Sequence, residues 1–322
     1  MSYAELDTTL AANPYLYAFW LEHQLEPNRN DYHIVFDQKI TGKLDSERLA
    51  SSLKNFIQDH IIFNSHLCEY EDKLYWQKNT SIQTLSKFPD TRDEQTFVSK
   101  PFSLDQGPLY RFGLFQVAKD EYNFIIVLHH ALIDGTQFKQ FIATISSYYN
   151  QDSIEITSLA QQKIDITASE KTLSQKLAAA KCDEAKAFWQ KYLSHAKKKN
   201  ELPYGHHHKK KASSNLRFAI NKHTVKIKHE SISDFNFLLL CWAILIGRYC
   251  SQQQITIRYP FKLLKKSKLF LGPLINTLPL QVDLSDVESF TELTAKHHKH
   301  LSTLKNTSFD FRWHPIGDNI RA

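Results

Sequence analysis

Polar and apolar positions alternate along residues 32–40 with the period of two that a half-buried strand requires. Downstream, Leu49, Leu53, Phe56 and Ile57 recur at helical spacing behind Asp45, which predicts a capped amphipathic helix. Residues 13–24 read as a short aromatic helix, 63–70 and 73–77 as strands, and 79–94 as a polar connecting stretch. Residues 109–117 and 122–128 predict a hairpin through the turn at 118–121. The second of these strands ends in an unbroken apolar run, Phe124-Ile125-Ile126-Val127-Leu128, and the next seven residues are HHALIDG, His129 to Gly135. Beyond them Phe138, Phe141, Ile142, Ile145 and Tyr149 form one apolar helix face.

The second half repeats this order more loosely. Helix formers occupy residues 173–193, residues 203–214 are a polar break, and a strand is predicted near 216–220. Residues 235–249 read as a helix; their apolar run, 237–246, is too short to cross a bilayer and reads as buried. Strands at 255–261 and 278–284 and a helix at 289–305 complete the pattern. Similar element order without a close repeat points to two related α/β lobes, residues 1–178 and 179–322.

Composition sharpens this. A chain of 322 residues with 42% hydrophobic and 23% charged residues is globular and long enough for two domains. The net charge of +6 is concentrated in Lys197-Lys198-Lys199 and Lys209-Lys210-Lys211, so no basic stripe for nucleic acid is present; these runs read as solvated loops, with steering of acidic partners as the functional alternative. Cys68, Cys182, Cys241 and Cys250 lack metal-type spacing, and the start of the chain lacks a basic segment followed by an apolar one, so a cytoplasmic protein without a membrane segment is expected.

The HHALIDG stretch carries the chemistry. A strand that ends where a helix begins delivers side chains to the mouth of a sheet and leaves backbone donors free. His130 at that point suits a general base, because imidazole is the side chain whose ordinary pKa lies closest to neutrality. Asp134 can accept a hydrogen bond or pair with a cation, and Gly135 leaves room for a substrate or backbone to approach. These residues fit deprotonation of an amine or hydroxyl that attacks an acyl group. The purely structural reading is that Asp134 caps the following helix, Gly135 completes the turn, and the histidines are satisfied core residues.

HHALIDG matches the HHxxxDG signature of condensation domains of nonribosomal peptide synthetases, and the chain resembles that family elsewhere in the same order. The further blocks are Leu25-Glu26-Pro27 with Tyr32-His33-Ile34, Pro101-Phe102-Ser103-Leu104 with Gly107-Pro108-Leu109-Tyr110-Arg111, Phe188-Trp189 with Tyr192-Leu193, and Leu271 to Leu280 (LGPLINTLPL). The resemblance implies two chloramphenicol acetyltransferase-like lobes forming a V-shaped pseudo-dimer, with the motif at their junction. It implies amide formation between thioesters that donor and acceptor peptidyl carrier proteins deliver on phosphopantetheine arms, with neighbouring synthetase domains as partners and no cofactor bound by the chain itself. By the same resemblance His130 is the base or amine-positioning residue and His129 is structural. Asp134 organises the turn through an ion pair, and the amide of Gly135 faces the oxyanion. Tyr15, Tyr17, Phe19 and Trp20 are candidates to line the acceptor tunnel, with helix packing as the alternative, and Asn276 belongs to the LGPLINTLPL block.

The chain departs from the family pattern in places. Asp59 to Leu67 (DHIIFNSHL) stands where the family has RHExLRTxF, so both arginines are absent. Leu264 occupies the place of the arginine that often pairs with the motif aspartate, which leaves Arg258, Lys262 or Lys265 as substitute partners. Thr136-Gln137 replaces the usual residues after the glycine, and few residues follow the block resembling Asn306 to Phe311. Two readings are open, a fragment of a longer synthetase and a naturally shortened domain; under either, the second lobe is expected to lack a sheet edge and the chain to self-associate through the edge left exposed. An ester-forming O-acyltransferase and a non-catalytic docking domain stay open beside amide formation. His206-His207-His208 reads as solvated linker, and His297, His298 and His300 as surface residues.

Overall fold

The computed structural model describes residues 9–152, 156–179, 183–194, 232–264 and 269–307. In chain order the elements are β1 (Thr9–Ala11), a 3-10 turn (Pro14–Leu16), α1 (Tyr17–Leu25), β2 (His33–Thr41), α2 (Ser46–Asp59), β3 (Ser65–Tyr70), β4 (Lys73–Lys78), β5 (Leu85–Phe88), α3 (Glu94–Ser99), β6 (Tyr110–Ala118), β7 (Glu121–His129), α4 (Gly135–Asn150), α5 (Leu159–Ala179), α6 (Asp183–Ser194), α7 (Asp234–Cys250), β8 (Gln254–Lys262), β9 (Ile275–Asp283) and α8 (Phe290–Thr307). The chain divides into two compact units. The first is Met1–Leu177 with Lys262–Ile275, and the second is Ala178–Phe261 with Asn276–Ala322.

The first unit is organised by β7. Its first three residues are exposed or half-buried and its last six are buried, so the strand runs from the surface into the core. It lies between β2 and β6, antiparallel to both, and β5 extends the sheet parallel to β6. The register sets His33 opposite His129 and Tyr110 opposite Leu128. A separate antiparallel sheet has the order β1-β4-β3. The helix predicted behind Asp45 forms because the Asp45 carboxylate accepts the Arg48 N–H, satisfying a donor that the first turn leaves free. Its face of Leu49, Leu53, Phe56 and Ile57 is buried, and Phe56 meets Phe141 of α4 with ring centroids 5.4 Å apart.

The return segment of this unit matters most for the site. After β8 the chain re-enters the first unit, where Leu269, Phe270, Leu271 and Leu274 are buried in its core. Phe270 meets Phe63 at 5.2 Å and Phe56 at 5.9 Å, both edge-on. Gly272 adopts φ +77°, and a Cβ there would lie 3.3 Å from the Ala131 carbonyl, so the close approach of this segment to the HHALIDG turn depends on glycine.

In the second unit α7, α8 and α6 pack around the pair β8-β9 through Leu240, Ala243, Leu278, Leu280, Val282, Leu293 and Trp189. Three expectations need correction. The stretch 79–94 is not wholly a connection: it contains β5 and leads into α3, while β1 lies where no element was read. The helix over 235–249 is present but is not buried all round; Leu240, Ala243, Ile246 and Gly247 are inside while Phe235, Leu238, Trp242, Leu245 and Tyr249 are exposed. His297 is buried rather than on the surface. The strand near 216–220, both lysine runs, His206-His207-His208, Cys182 and the block at 308–311 lie outside the described residues.

Candidate active site

The HHALIDG turn is built from its backbone outward. At the end of β7 the His129 N–H donates to the Leu109 carbonyl on one side, and the His130 N–H donates to the Tyr32 carbonyl on the other. The chain then closes a turn, Leu132 N–H to His129 carbonyl at 3.0 Å, with Ala131, Leu132 and Ile133 fully buried as its apolar anchor. These three side chains fix the position of the polar residues that flank them.

His129 and His130 occupy different surroundings. His129 is buried among Phe19, Tyr32 and Phe102, and its Nδ1 accepts the Ala131 N–H at 3.0 Å, so the ring carries its proton on Nε2. Burial, followed by the neighbouring rings of His33, His130 and His23, pushes its pKa down to about 3, so it is neutral in the folded protein. His130 is half-buried and stacks on Phe19 with centroids 5.9 Å apart and planes 22° from parallel. Its Nδ1 has no hydrogen-bond partner among the described residues. That nitrogen is closed off from solvent, so it is the Nε2 side of this half-buried ring, held on one face by Phe19, that is suited to exchange a proton with a bound molecule.

Asp134 is 1% exposed, and a buried carboxylate needs donors or a cation. It is the N-cap of α4: Oδ1 accepts the Thr136 N–H at 2.8 Å and the Thr136 hydroxyl at 2.5 Å, and Oδ2 accepts the Leu274 N–H at 2.6 Å. The Asp134 N–H donates to Gln137 Oε1 at 3.4 Å, which completes a capping box. The helix N-terminus adds a favourable field for the negative charge. Among the described residues no ion pair to Asp134 is formed; the expected cation is replaced by the amide of the return segment and by Thr136.

Gly135 is the first residue of α4 and is exposed, in a position where N–H groups have no intrahelical acceptor. A Cβ placed there would meet nothing within 4 Å, so the glycine leaves open space that the protein's own packing does not require. Together the turn offers a half-buried imidazole and, at the exposed Gly135 of the capped helix, open space.

The remaining candidates are distributed elsewhere. Tyr17 is exposed at the start of α1, and Phe19, two residues on and therefore on another face of the helix, is the aromatic residue that reaches His130. Arg258 and Lys262 are exposed on β8, and Lys265 lies outside the described residues. Asn276 is half-buried on β9, where its Oδ1 accepts the Thr277 N–H at 2.8 Å. Sequence reasoning left Thr136 without a role, although its hydroxyl two residues after a buried acid was the available signal. The Leu274 donor gave no side-chain signal at all, because it is a backbone amide brought in from 140 positions away. Among the described residues no group of His, Cys, Asp and Glu is arranged to hold a metal ion.

Residues 15–313 match the condensation-domain family. One of the linear gramicidin synthase proteins from Brevibacillus parabrevis is 26% identical over 308 residues, covering 86% of this chain and 6% of that protein. The first surfactin synthase protein from Bacillus subtilis (strain 168) is 27% identical over 155 residues, 46% of this chain and 4% of that protein. The chain thus spans a small part of the length of these relatives. The first condensation domain of the calcium-dependent antibiotic synthetase superposes with a TM-score of 0.74 at 16% identity, covering 97% of this chain and 79% of that one. The starter condensation domain of rhizomide synthetase gives a TM-score of 0.73 at 16% identity, covering 95% and 73%. At that identity the superpositions establish the α/β fold.

Proposed function

The chain belongs to the condensation-domain family, and from that premise we propose that it forms an amide bond between a donor acyl or peptidyl thioester and an acceptor aminoacyl thioester. Both substrates arrive on phosphopantetheine arms of carrier proteins, and the chain works beside the other domains of a synthetase. In this reading the two units are its two acetyltransferase-like lobes.

The acceptor nitrogen attacks the donor carbonyl carbon, the C–N bond forms, and the C–S bond breaks to release the donor arm as a thiol. His130 takes the proton that the nitrogen loses and passes it on to the leaving sulfur. The negative charge on the carbonyl oxygen develops beside the first turn of α4, where the Gly135 N–H and the helix field stabilise it. His129 holds a neutral ring and the backbone of the turn in place, and Asp134 fixes the start of α4 against the return segment. Holding two tethered thioesters in line contributes as much as proton transfer, because it replaces an encounter in solution with a positioned one.

The observation that supports this reading best is the half-buried His130 ring, stacked on Phe19 in the turn that leads into the open first residue of α4, in a chain whose family match spans residues 15–313. Reconstitution tests it. The chain is mixed with two carrier proteins, one loaded with an acyl group and one with an aminoacyl group, and the products are read by mass spectrometry. We expect an amide on the acceptor carrier and no ester when a hydroxyacyl group replaces the aminoacyl group. Ester formation with no amide would assign the chain to O-acyl transfer, and carrier binding without either product would make it a docking domain.

A further inference from the structure

Residues 269–274 of the return segment are buried yet belong to no helix or strand, so partners for their backbone polar groups have to come from elsewhere in the fold. Three buried side chains of the first unit take part. Asp134 accepts the Leu274 N–H, Gln137 Nε2 donates to the Leu269 carbonyl at 3.5 Å, and Asn13 Nδ2 donates to the Pro273 carbonyl at 2.8 Å. The first two belong to the start of α4. Asn13 lies 260 positions away in sequence and belongs to a different element, as the cap of the 3-10 turn that runs into α1.

Asn13 is 5% exposed, and both ends of its carboxamide are committed. Its Oδ1 accepts the Tyr15 N–H at 2.9 Å, a donor that a first turn leaves free, and this bond orients Nδ2 toward Pro273. Aspartate would cap the turn equally well; asparagine supplies a donor in addition. Both bonds bear on the HHALIDG turn. Six residues after Asn13, Phe19 of α1 stacks on His130. On either side of Pro273, Gly272 approaches the Ala131 carbonyl and Leu274 is bound by Asp134.

We propose that Asn13 is a positioning residue for the condensation reaction. Its carboxamide joins the segment that leads to Phe19 to the segment that lies against Ala131 and Asp134, and so fixes where His130 and the first turn of α4 stand relative to one another. The assignment of a reaction to Asn13 rests on the function proposed above; the clamp itself rests on the geometry alone.

Asn13→Asp tests this with almost no change of shape. The carboxylate still accepts the Tyr15 N–H but turns an oxygen on the Pro273 carbonyl, so the cap survives and the clamp opens. Asn13→Ser, too short to reach Pro273, opens the clamp without adding a charge. In NMR spectra of the folded chain, both variants are expected to move the Leu274 N–H proton upfield as its bond to Asp134 lengthens, while the Val127 N–H in the middle of β7 stays in place. In single turnover between loaded carrier proteins, the rate at saturation is expected to fall about 10- to 10²-fold with the half-saturating carrier concentrations unchanged. A residue that only stabilised the fold would lower the unfolding midpoint and leave the saturated rate of the folded chain intact; that result overturns the proposal. So does a Leu274 resonance that stays at its wild-type position in both variants. The NMR measurement needs no turnover, so a wild-type chain that forms no product refutes the reaction, and the Leu274 resonance still decides the clamp.

Discussion

His129 shows how a single side chain ties the turn to solution conditions. Its ring accepts a hydrogen bond from Ala131 only while neutral, and burial lowers its pKa to about 3. An unfolded histidine titrates near 6.5. Between these values the unfolded chain binds a proton that the folded chain refuses, so stability is complete above about pH 6.5 and declines as pH falls toward about 3. His33, His60, His297 and His300 are lowered by burial as well and add in the same direction. Urea unfolding at a series of pH values should therefore show stability falling on acidification. His129→Asn keeps an acceptor for the Ala131 N–H but cannot titrate. It should flatten the slope between about pH 6 and 4 by up to about 1.4 kcal/mol per pH unit. A slope unchanged by this substitution would mean that His129 is not the group refusing the proton. The histidine pair itself was legible in the sequence; the division of labour between its members was not, because it depends on which ring Phe19, Tyr32 and Phe102 enclose.

At the scale of elements, the strand β7, the turn and α4 were legible because each carries a strong local signal. These are an apolar run, a cap followed three residues later by Gln137, and a helical apolar face. The short strands β1 and β5 carry no such signal, since three or four residues in a sheet are held by partners distant in sequence, Tyr75 to Gln77 and Phe112 to Phe115 respectively. The run in α7 misled for a different reason: apolar composition shows that a helix has faces to bury but not that its own unit covers only one of them. The return segment is the element the sequence could not place. Its block of residues was recognisable, yet its function as a clamp on Asp134 rests on backbone geometry. Asp134→Ala removes both the cap of α4 and the acceptor for the Leu274 amide. A lost cap costs about 1 kcal/mol and a buried unpaired donor about 1–3 kcal/mol, so a loss of about 2–4 kcal/mol in urea unfolding is expected. A loss below about 0.5 kcal/mol would show that the clamp contributes nothing.

For the whole molecule, the chain divides into two compact units, and the family match over residues 15–313 covers parts of both. No described helix is long and apolar enough to cross a membrane. The first unit includes residues 262–275, so the turn that carries His130 is completed by residues of the same unit far downstream of it. The proposed chemistry turns on His130 as the group that moves the proton. The direct test is a single-turnover assay of acyl transfer between loaded carrier proteins, comparing the wild-type chain with His130→Ala. Proton transfer through this ring predicts a rate lowered about 10²- to 10⁴-fold with the unfolding midpoint unchanged; an undiminished rate in the variant would contradict it.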